Sequence, residues 1–203
     1  MANDSNYVSK FGFSMENFLA MIIPNTYEFY WNTSAREFYN RMHKEYKKFW
    51  TEERINKAEA INLTKQEVII LASIAQQESN KQEEWPAIAG VYLNRLKSGW
   101  KLQADPTLKY LVEDREKVNR IYDKHKTIQS PYNTYQNKGL PPGPIVVPQI
   151  QAIDSVLNAK DHEYMYFSAK ADLSGYHHFS KTLREHINHA NEYQRALNKR
   201  NIY

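Results

Sequence analysis

Cysteine is absent from this 203-residue sequence, which excludes disulfide bonds, thiol catalysis and Cys-ligated zinc. Glycine is scarce, with six residues in all, and there is no glycine-rich motif of the kind that cradles a phosphate. No apolar run approaches the roughly 20 residues that a helix needs to span a bilayer. Residues 1–20 lack the basic start and apolar centre of a signal peptide, and no GxSxG motif indicates a serine hydrolase.

Aromatic residues, in contrast, are abundant. The chain has 15 Tyr, 8 Phe and 4 Trp, and such rings suit both a packed core and a cleft that binds a polymer. Hydrophobic residues make up 41% of the chain and charged residues 25%, which is compatible with a packed domain. The net charge of +4 is compatible with an anionic partner, but no nucleic-acid-binding motif is present, so we expect no nucleic acid partner.

The pattern of apolar residues predicts a mostly helical domain of the α+β class with a small antiparallel sheet. Residues 18–31, interrupted by Pro24-Asn25, predict strands around a turn. Two further strands are predicted at 163–169 and 176–180. Helices are predicted after Ser34 and at residues 65–78, 86–96, 105–111, 148–157 and 181–198, with a charged excursion at residues 113–128.

Glu78 is the first candidate for catalysis. Leu71, Ile74, Ala75 and Glu78 share one face of the predicted helix at residues 65–78, because they are spaced at i, i+3, i+4 and i+7. A carboxyl group in register with an apolar stripe points towards the core or a cleft, where desolvation raises its pKa and lets it donate a proton near neutral pH. The alternative is that Glu78 lies in the last helical turn and leans out to solvent.

A loop rich in proline and glycine is the second informative feature. Residues 140–144 read LPPGP and cannot form regular structure, since proline fixes φ and removes a donor. Just before them, Tyr132-Asn133-Thr134-Tyr135 offers amide and hydroxyl groups beside aromatic faces, which suits a sugar. A rigid structural turn packed by its own tyrosines is an equally good interpretation.

The histidines do not indicate a metal site. His177 and His178 lie in a predicted strand and therefore point to opposite faces. His186 and His189 are one helical turn apart, but no HExxH motif or third ligand accompanies them. We expect packed or hydrogen-bonded histidines and neither a metal nor a cofactor.

Several segments together resemble the endolytic murein transglycosylase family, also called YceG-like or MltG. They occur in the family's order and cover nearly all of the chain after about residue 20. The matching segments are IPNTYEFYWNTSA at 23–35, LASIAQQES at 71–79, AGVYLNRLKSGWKLQADPTLKY at 89–110, SPYNTYQNKGLPPGPIVVP at 130–148, YMYFSA at 164–169 and GYHHFSKTLREH at 175–186.

The resemblance implies a lysozyme-like catalytic domain over residues 61–203. Residues 1–60 would then be a strand and helix segment, the remnant of a region that leads to a missing LysM-like part. Family members normally begin with a membrane helix, so the chain is expected to be an exported fragment whose full-length protein is membrane-anchored. Its expected location is the periplasm or the outer face of the cytoplasmic membrane.

The resemblance also assigns the chemistry. The family's catalytic glutamate matches Glu78, and the string IAQQES is similar to the Glu-Ser motif of soluble lytic transglycosylases. Glu78 would protonate the bond between N-acetylmuramic acid and N-acetylglucosamine in peptidoglycan. It would then take the proton of the muramyl C6 hydroxyl as that group attacks C1, which gives a 1,6-anhydro end. The residues expected to bind substrate are Asn94, Gln103, Asp105, Thr107, Tyr132, Asn133, Tyr135 and His177.

The sequence departs from the family pattern at three places. Gln76 replaces a common acid, so an indispensable carboxylate is not expected there. Asn25 stands where an aspartate is usual, and Gly175-Tyr176-His177 replaces Gly-Gly-His, which leaves His177 as the matching histidine.

Two other functions remain open. A hydrolytic muramidase would need a second carboxylate such as Asp105, although that residue could equally cap a helix. A glycan-binding module without activity would use the same cleft and cut nothing. The aminodeoxychorismate lyase label sometimes given to the family is not supported, since no pyridoxal phosphate motif is found. Peptidoglycan strands are the expected partner, with cell-wall synthases as further candidates.

Overall fold

The computed structural model describes residues 4–112 and 121–200, and all structural statements below concern these residues. The predicted excursion at residues 113–128 falls partly outside them, at residues 113–120. In the described part of the chain, no helix has both the length and the apolar character needed to cross a bilayer.

The N-terminal region is helical. It contains α1 (Ser5–Val8), a 3₁₀ turn (Phe18–Met21), α2 (Ala35–Phe49) and α3 (Glu52–Ala60). The strands predicted at residues 18–31 are therefore wrong. Residues 22–34 contain no strand, because an apolar, aromatic run forms a strand only where a partner can take its backbone hydrogen bonds.

Helix α4 (Lys65–Glu78) is the centre of the domain. The predicted capping box is present: Thr64 accepts from the backbone of Glu67, and the Glu67 carboxylate accepts from the backbone of Thr64. The eight consecutive residues from Val68 to Ala75 are all buried. A helix that is buried on every side must be surrounded by other elements. The helix therefore fixes the position of its last residue, Glu78, against the core.

Helices on several sides enclose α4. They are α5 (Trp85–Lys97), α6 (Asp105–Val112) and α8 (Ile150–Leu157), each close to its predicted range, and the short α7 (Asp123–Lys126) lies between the last two in sequence. The loop at residues 130–148 contains no helix or strand, as predicted. Gly143 is required there, because a Cβ would lie 1.8 Å from the carbonyl oxygen of Glu16.

Two strands, β1 (Tyr166–Ala169) and β2 (His177–Ser180), form an antiparallel hairpin, which confirms the predicted sheet. Their register pairs Tyr166 with Ser180 and Ala169 with His177. Helix α9 (Leu183–Lys199) packs against this hairpin but has no fully buried residue. The architecture is α+β and mostly helical, as predicted.

The hydrophobic core joins both ends of the chain. Val8 and Phe18 belong to the same buried cluster as Leu71, Ile88 and Ile153. Residues before and after residue 60 thus share one core, while the division of the chain at that residue stays a prediction.

Candidate active site

Glu78 lies at the bottom of a cleft of about 400 Å³, where α4 ends. Its side chain is partly buried, and it does not lean freely into solvent. The cleft is lined by Glu78, Tyr92, Arg95, Gln103, Asp105, Tyr135, Tyr166, Phe167, Leu183 and His186.

The surroundings favour the protonated form of Glu78. The pKa of Glu78 is raised from 4.5 to about 7, chiefly by burial and to a smaller extent by the nearby Asp105 carboxylate. The Tyr92 hydroxyl donates a hydrogen bond to Oε1 of Glu78, which lowers the pKa, as does the Arg95 guanidinium. Because desolvation is the largest effect, the carboxyl group can change protonation state near neutral pH.

One wall of the cleft is polar. Gln103, Asp105 and Tyr135 line it, and the Tyr135 hydroxyl donates to Oδ1 of Asp105 at 2.6 Å. The Gln103 backbone has φ of 50°, a left-handed conformation that costs energy in a residue with a side chain. Its amide N–H donates to the carbonyl oxygen of Thr134 at 3.1 Å, so this strained segment is tied to the loop at residues 130–148.

The opposite wall is aromatic. Tyr166 and Phe167 of β1 line it together with Leu183 and His186 of α9. The rings of Tyr166 and His186 stack with centroids 5.3 Å apart. The Trp100 ring packs edge-on against Tyr166, with ring centroids 5.9 Å apart. Trp100 is 42% exposed and extends the aromatic surface beyond the cleft lining. A sugar ring could place its apolar face on this wall and its hydroxyl groups on the polar one.

Arg95 joins the two walls from beneath. Its side chain is 7% exposed. Its Nε donates to the carbonyl oxygen of Met165 at 2.9 Å, and its Nη1 donates to that of Leu102. These carbonyls directly precede Tyr166 on the aromatic wall and Gln103 on the polar wall, so Arg95 fixes the distance between them.

Five of the residues expected to bind substrate do not line this cleft: Asn94, Thr107, Asn133, Tyr132 and His177. The Asn94 amide donates to the carbonyl oxygens of His162 and Tyr164, at 2.7 and 3.0 Å.

Thr107 and Asn133 are fully buried. The Thr107 hydroxyl donates to the carbonyl oxygen of Ala104 at 2.7 Å. The Asn133 amide donates to the carbonyls of Lys126 and Ile128. Its own oxygen accepts from the backbone of Tyr135 at 2.9 Å. Their polar atoms therefore support the walls of the cleft and do not face into it.

Tyr132 and His177 also lie outside the cleft lining. The Tyr132 hydroxyl donates to the carbonyl oxygen of Glu16 at 3.3 Å, and its ring packs on Tyr110 at 5.0 Å. This end of the loop is thus a structural turn, whereas Tyr135 faces the cleft. His177 contacts Glu84 through its backbone N–H and its Nδ1, both at 2.8 Å.

Gln76 and the histidines have structural contacts. The Gln76 side chain accepts from the backbone N–H of Gln149 at 2.7 Å, just before α8. His178 stacks on His189 with centroids 4.3 Å apart. Within residues 4–112 and 121–200, no three histidine or acidic side chains are grouped so as to hold a metal ion.

Several cleft residues were not anticipated from the sequence: Tyr92, Arg95, Tyr166, Phe167, Leu183 and His186. A signal for Arg95 did exist. It falls in register with the buried Ile88 and Val91 on α5, the same pattern that singles out Glu78 on α4.

Comparison with known proteins gives a consistent result. A family profile described as the YceG-like family matches residues 2–192. The chain is 35% identical over 133 residues to an endolytic murein transglycosylase of Bacillus subtilis (strain 168), which covers 66% of this chain and 36% of that protein. It is 36% identical over 111 residues to an endolytic murein transglycosylase of Streptococcus pneumoniae serotype 2, which covers 53% of this chain and 20% of that protein. The chain thus spans about a third or less of these relatives.

A solved structure is also similar. The crystal structure of a yceG-like protein from Listeria monocytogenes superposes with a TM-score of 0.71 at 30% sequence identity. The match covers 83% of this chain and 54% of that one. The likeness therefore extends over most of the fold.

Proposed function

The chain belongs to the YceG-like family, and on that premise we propose that its cleft is the catalytic centre of a lytic transglycosylase. The substrate is the peptidoglycan glycan strand, cleaved within the strand at the β-1,4 bond between N-acetylmuramic acid and N-acetylglucosamine. The observation that carries this proposal is Glu78, a carboxyl group at the bottom of a sugar-sized cleft whose pKa is raised to about 7.

Glu78 acts first as the acid. At pH 7 about half of the molecules carry the proton, compared with about 0.3% for a carboxyl group at its ordinary pKa of 4.5. The protonated Glu78 donates to the glycosidic oxygen, and the leaving N-acetylglucosamine departs as a neutral alcohol. Positive charge then develops at C1 of the muramyl sugar.

Glu78 acts next as the base. Its carboxylate takes the proton of the muramyl C6 hydroxyl as that oxygen attacks C1, so no water is consumed and the product has a 1,6-anhydro end. The attacking group belongs to the substrate itself, and its effective concentration replaces a bound nucleophile. A pKa near 7 suits both steps, since the group must give and take a proton at the same pH. Tyr92, which is hydrogen-bonded to Glu78, holds the carboxylate between the steps.

The walls of the cleft orient the strand. The exposed ring of Trp100 stacks against a pyranose ring and the Tyr166 side chain contacts its edge. Gln103 donates or accepts hydrogen bonds and Asp105 accepts them on the polar part of the cleft. The acid at the end of a buried helix beside a hairpin supports the proposal that the domain is lysozyme-like. A substrate of this class places the protein at the cell envelope, where the full-length protein would be anchored and could act beside cell-wall synthases.

A hydrolytic muramidase is the second candidate, because Asp105 lies in the same cleft as Glu78 and two carboxylates are what hydrolysis uses. In that reaction water would attack C1, the product would have a reducing end, and Asp105→Asn would abolish cutting. The Tyr135 hydroxyl engages only Oδ1 of Asp105, so the reaction products decide between the two functions.

The test is product analysis of purified sacculi digested with the wild-type chain and with Glu78→Gln. We expect 1,6-anhydromuramyl ends by mass spectrometry with the wild type and a loss of about 100- to 10,000-fold with the variant. Glu59→Gln, which changes an exposed acid in the last turn of α3, should cut like the wild type. Reducing ends would establish the muramidase. Equal cutting by Glu78→Gln would remove Glu78 from the mechanism.

A further inference from the structure

The residue after Glu78 is held by a buried polar cluster, here called the Glu84 clamp and consisting of Ser79, Glu84 and His177. The Ser79 hydroxyl donates to Oε2 of Glu84 at 3.0 Å and accepts from the backbone of Lys81 at 3.0 Å. Both Ser79 and Glu84 are buried, at 6% and 7% exposed. The Ser79 carbonyl oxygen also accepts from the indole N–H of Trp85 at 2.8 Å. Every polar group of Ser79 beyond its N–H is therefore engaged.

His177 completes the clamp from a different element. Its Nδ1 donates to Oε2 of Glu84, and its backbone N–H donates to Oε1, each at 2.8 Å. The Glu84 carboxylate thus accepts three hydrogen bonds, two from the start of β2 and one from the end of α4. A buried carboxylate needs such partners, because leaving it unpaired in the interior would be costly.

The clamp joins the catalytic acid to the aromatic wall of the cleft. His177 pairs with Ala169 in the hairpin, and its ring contacts that of Phe167 edge-on at 5.5 Å. The Phe167 ring in turn packs edge-on against the ring of Tyr92, with centroids 6.1 Å apart. Tyr92 is the residue that donates a hydrogen bond to Glu78. The end of α4, the hairpin and the Tyr92 ring are therefore held in one arrangement around Glu84.

The clamp is not explained by a contribution to the stability of the fold. A buried carboxylate with hydrogen-bond partners adds little to the free energy of unfolding, because the cost of desolvating the carboxylate offsets most of what its hydrogen bonds contribute. Its main effect is geometric, since the hydrogen bonds are satisfied in one arrangement only. Catalysis is sensitive to that geometry, as a displacement of about 1 Å can cost about 100-fold in rate.

We infer that Glu84 and His177 are positioning residues that fix the Glu78 carboxyl group against the aromatic wall of the cleft, and that His177 does not contact the glycan. This inference rests on the proposed function. It predicts that loss of the clamp lowers kcat while KM changes little, because Arg95 still holds the residues before Tyr166 and Gln103.

The experiment compares four variants with the wild type on glycan strands: Glu84→Gln, His177→Ala, His177→Asn and Arg54→Gln. Glu84→Gln and His177→Ala should lower kcat about 10- to 100-fold with KM within about threefold. His177→Asn keeps an N–H near the position of Nδ1 and should recover most of the rate. Arg54→Gln breaks an ion pair with Asp154 between α3 and α8, so it should lower thermal stability and leave kcat unchanged.

The pH profile gives a readout that a purely structural role would not change. When the clamp is lost, water reaches Glu78 more freely and its pKa falls towards the ordinary value, so the alkaline limb of the kcat profile should move to lower pH. Activities are expressed per folded molecule, as measured by circular dichroism at the assay temperature. If Glu84→Gln does not fold, the comparison of His177→Ala with His177→Asn decides the question.

The inference is overturned if the clamp variants keep the kcat and the pH profile of the wild type, or if His177→Ala raises KM while kcat is kept. Failure of the proposed function looks different, since Glu78→Gln would then be as active as the wild type. An inactive Glu78→Gln beside fully active clamp variants refutes the clamp alone.

Discussion

Glu78→Gln should make the protein more stable, and the gain should depend on pH. In the folded chain the pKa of Glu78 is raised from 4.5 to about 7. A raised pKa means that the folded state binds the proton more tightly than the unfolded state does. Below about pH 4.5 both states carry the proton and the charge has no effect on stability. As the pH rises to about 7 the folded state becomes less stable, and above that the loss is constant.

The magnitude follows from the shift. A change from 4.5 to about 7 corresponds to about 3 kcal/mol in the free energy of unfolding. This value is an upper bound, because part of the side chain contacts water in the cleft and is screened. In a domain of this size about 1 kcal/mol changes Tm by roughly 2–4 °C. The variant should therefore melt up to about 10 °C above the wild type near pH 8 and within about 3 °C of it near pH 5.

The assay is thermal denaturation followed by circular dichroism, at several pH values between about 5 and 8, on the chain without substrate. Glu59→Gln is the control, since this acid is exposed at the end of α3 and its replacement removes no buried charge. The reasoning is refuted if Glu78→Gln has the same Tm as the wild type near pH 8. It is also refuted if the difference in Tm does not grow with pH.

Three further predictions concern two neighbours of Glu78 and the support of the loop at residues 130–148. Tyr92→Phe removes a hydrogen bond that lowers the pKa of Glu78. The alkaline limb of the pH profile of kcat should therefore move to higher pH by about one unit. Asp105→Asn removes a charge that raises the same pKa and should move the limb to lower pH; shifts in the same direction would contradict the assignment. Asn133→Ala removes the donor to the Ile128 carbonyl and the acceptor of the Tyr135 backbone N–H and should cost about 2–3 kcal/mol in urea denaturation, while an unchanged midpoint would contradict its structural role.

The sequence was informative where local periodicity decides the structure. The capping box at Thr64 and the apolar register of α4 predict both the helix and the inward side of Glu78, and the structure has both. Its catalytic role stays a prediction. Tyr92 and Tyr166 could not be found in this way, because they come from other elements, and only the packing of α5 and the hairpin on α4 brings them to the cleft.

The incorrect strand prediction has a physical cause as well. Apolar, aromatic residues at positions 18–31 have high strand propensity, but propensity does not supply a neighbouring strand. Substrate binding by Asn94 and Asn133 stays a prediction. Both amides donate to backbone carbonyls in the structure, and such an amide has the same sequence signature as one that binds a ligand. The groups that each amide contacts depend on the whole fold and cannot be read from the local sequence.

The position of Glu78 as the last residue of α4 has one more consequence. The aligned peptide dipoles of a helix place roughly half a negative charge at its C-terminal end. This charge disfavours the ionised form of Glu78 and attracts the positive charge that develops on the muramyl sugar. It belongs to the backbone, so it does not titrate and no side-chain substitution removes it. Even with Asp105 neutralised, the main chain would keep this end of the cleft suited to an acid and to a cationic transition state.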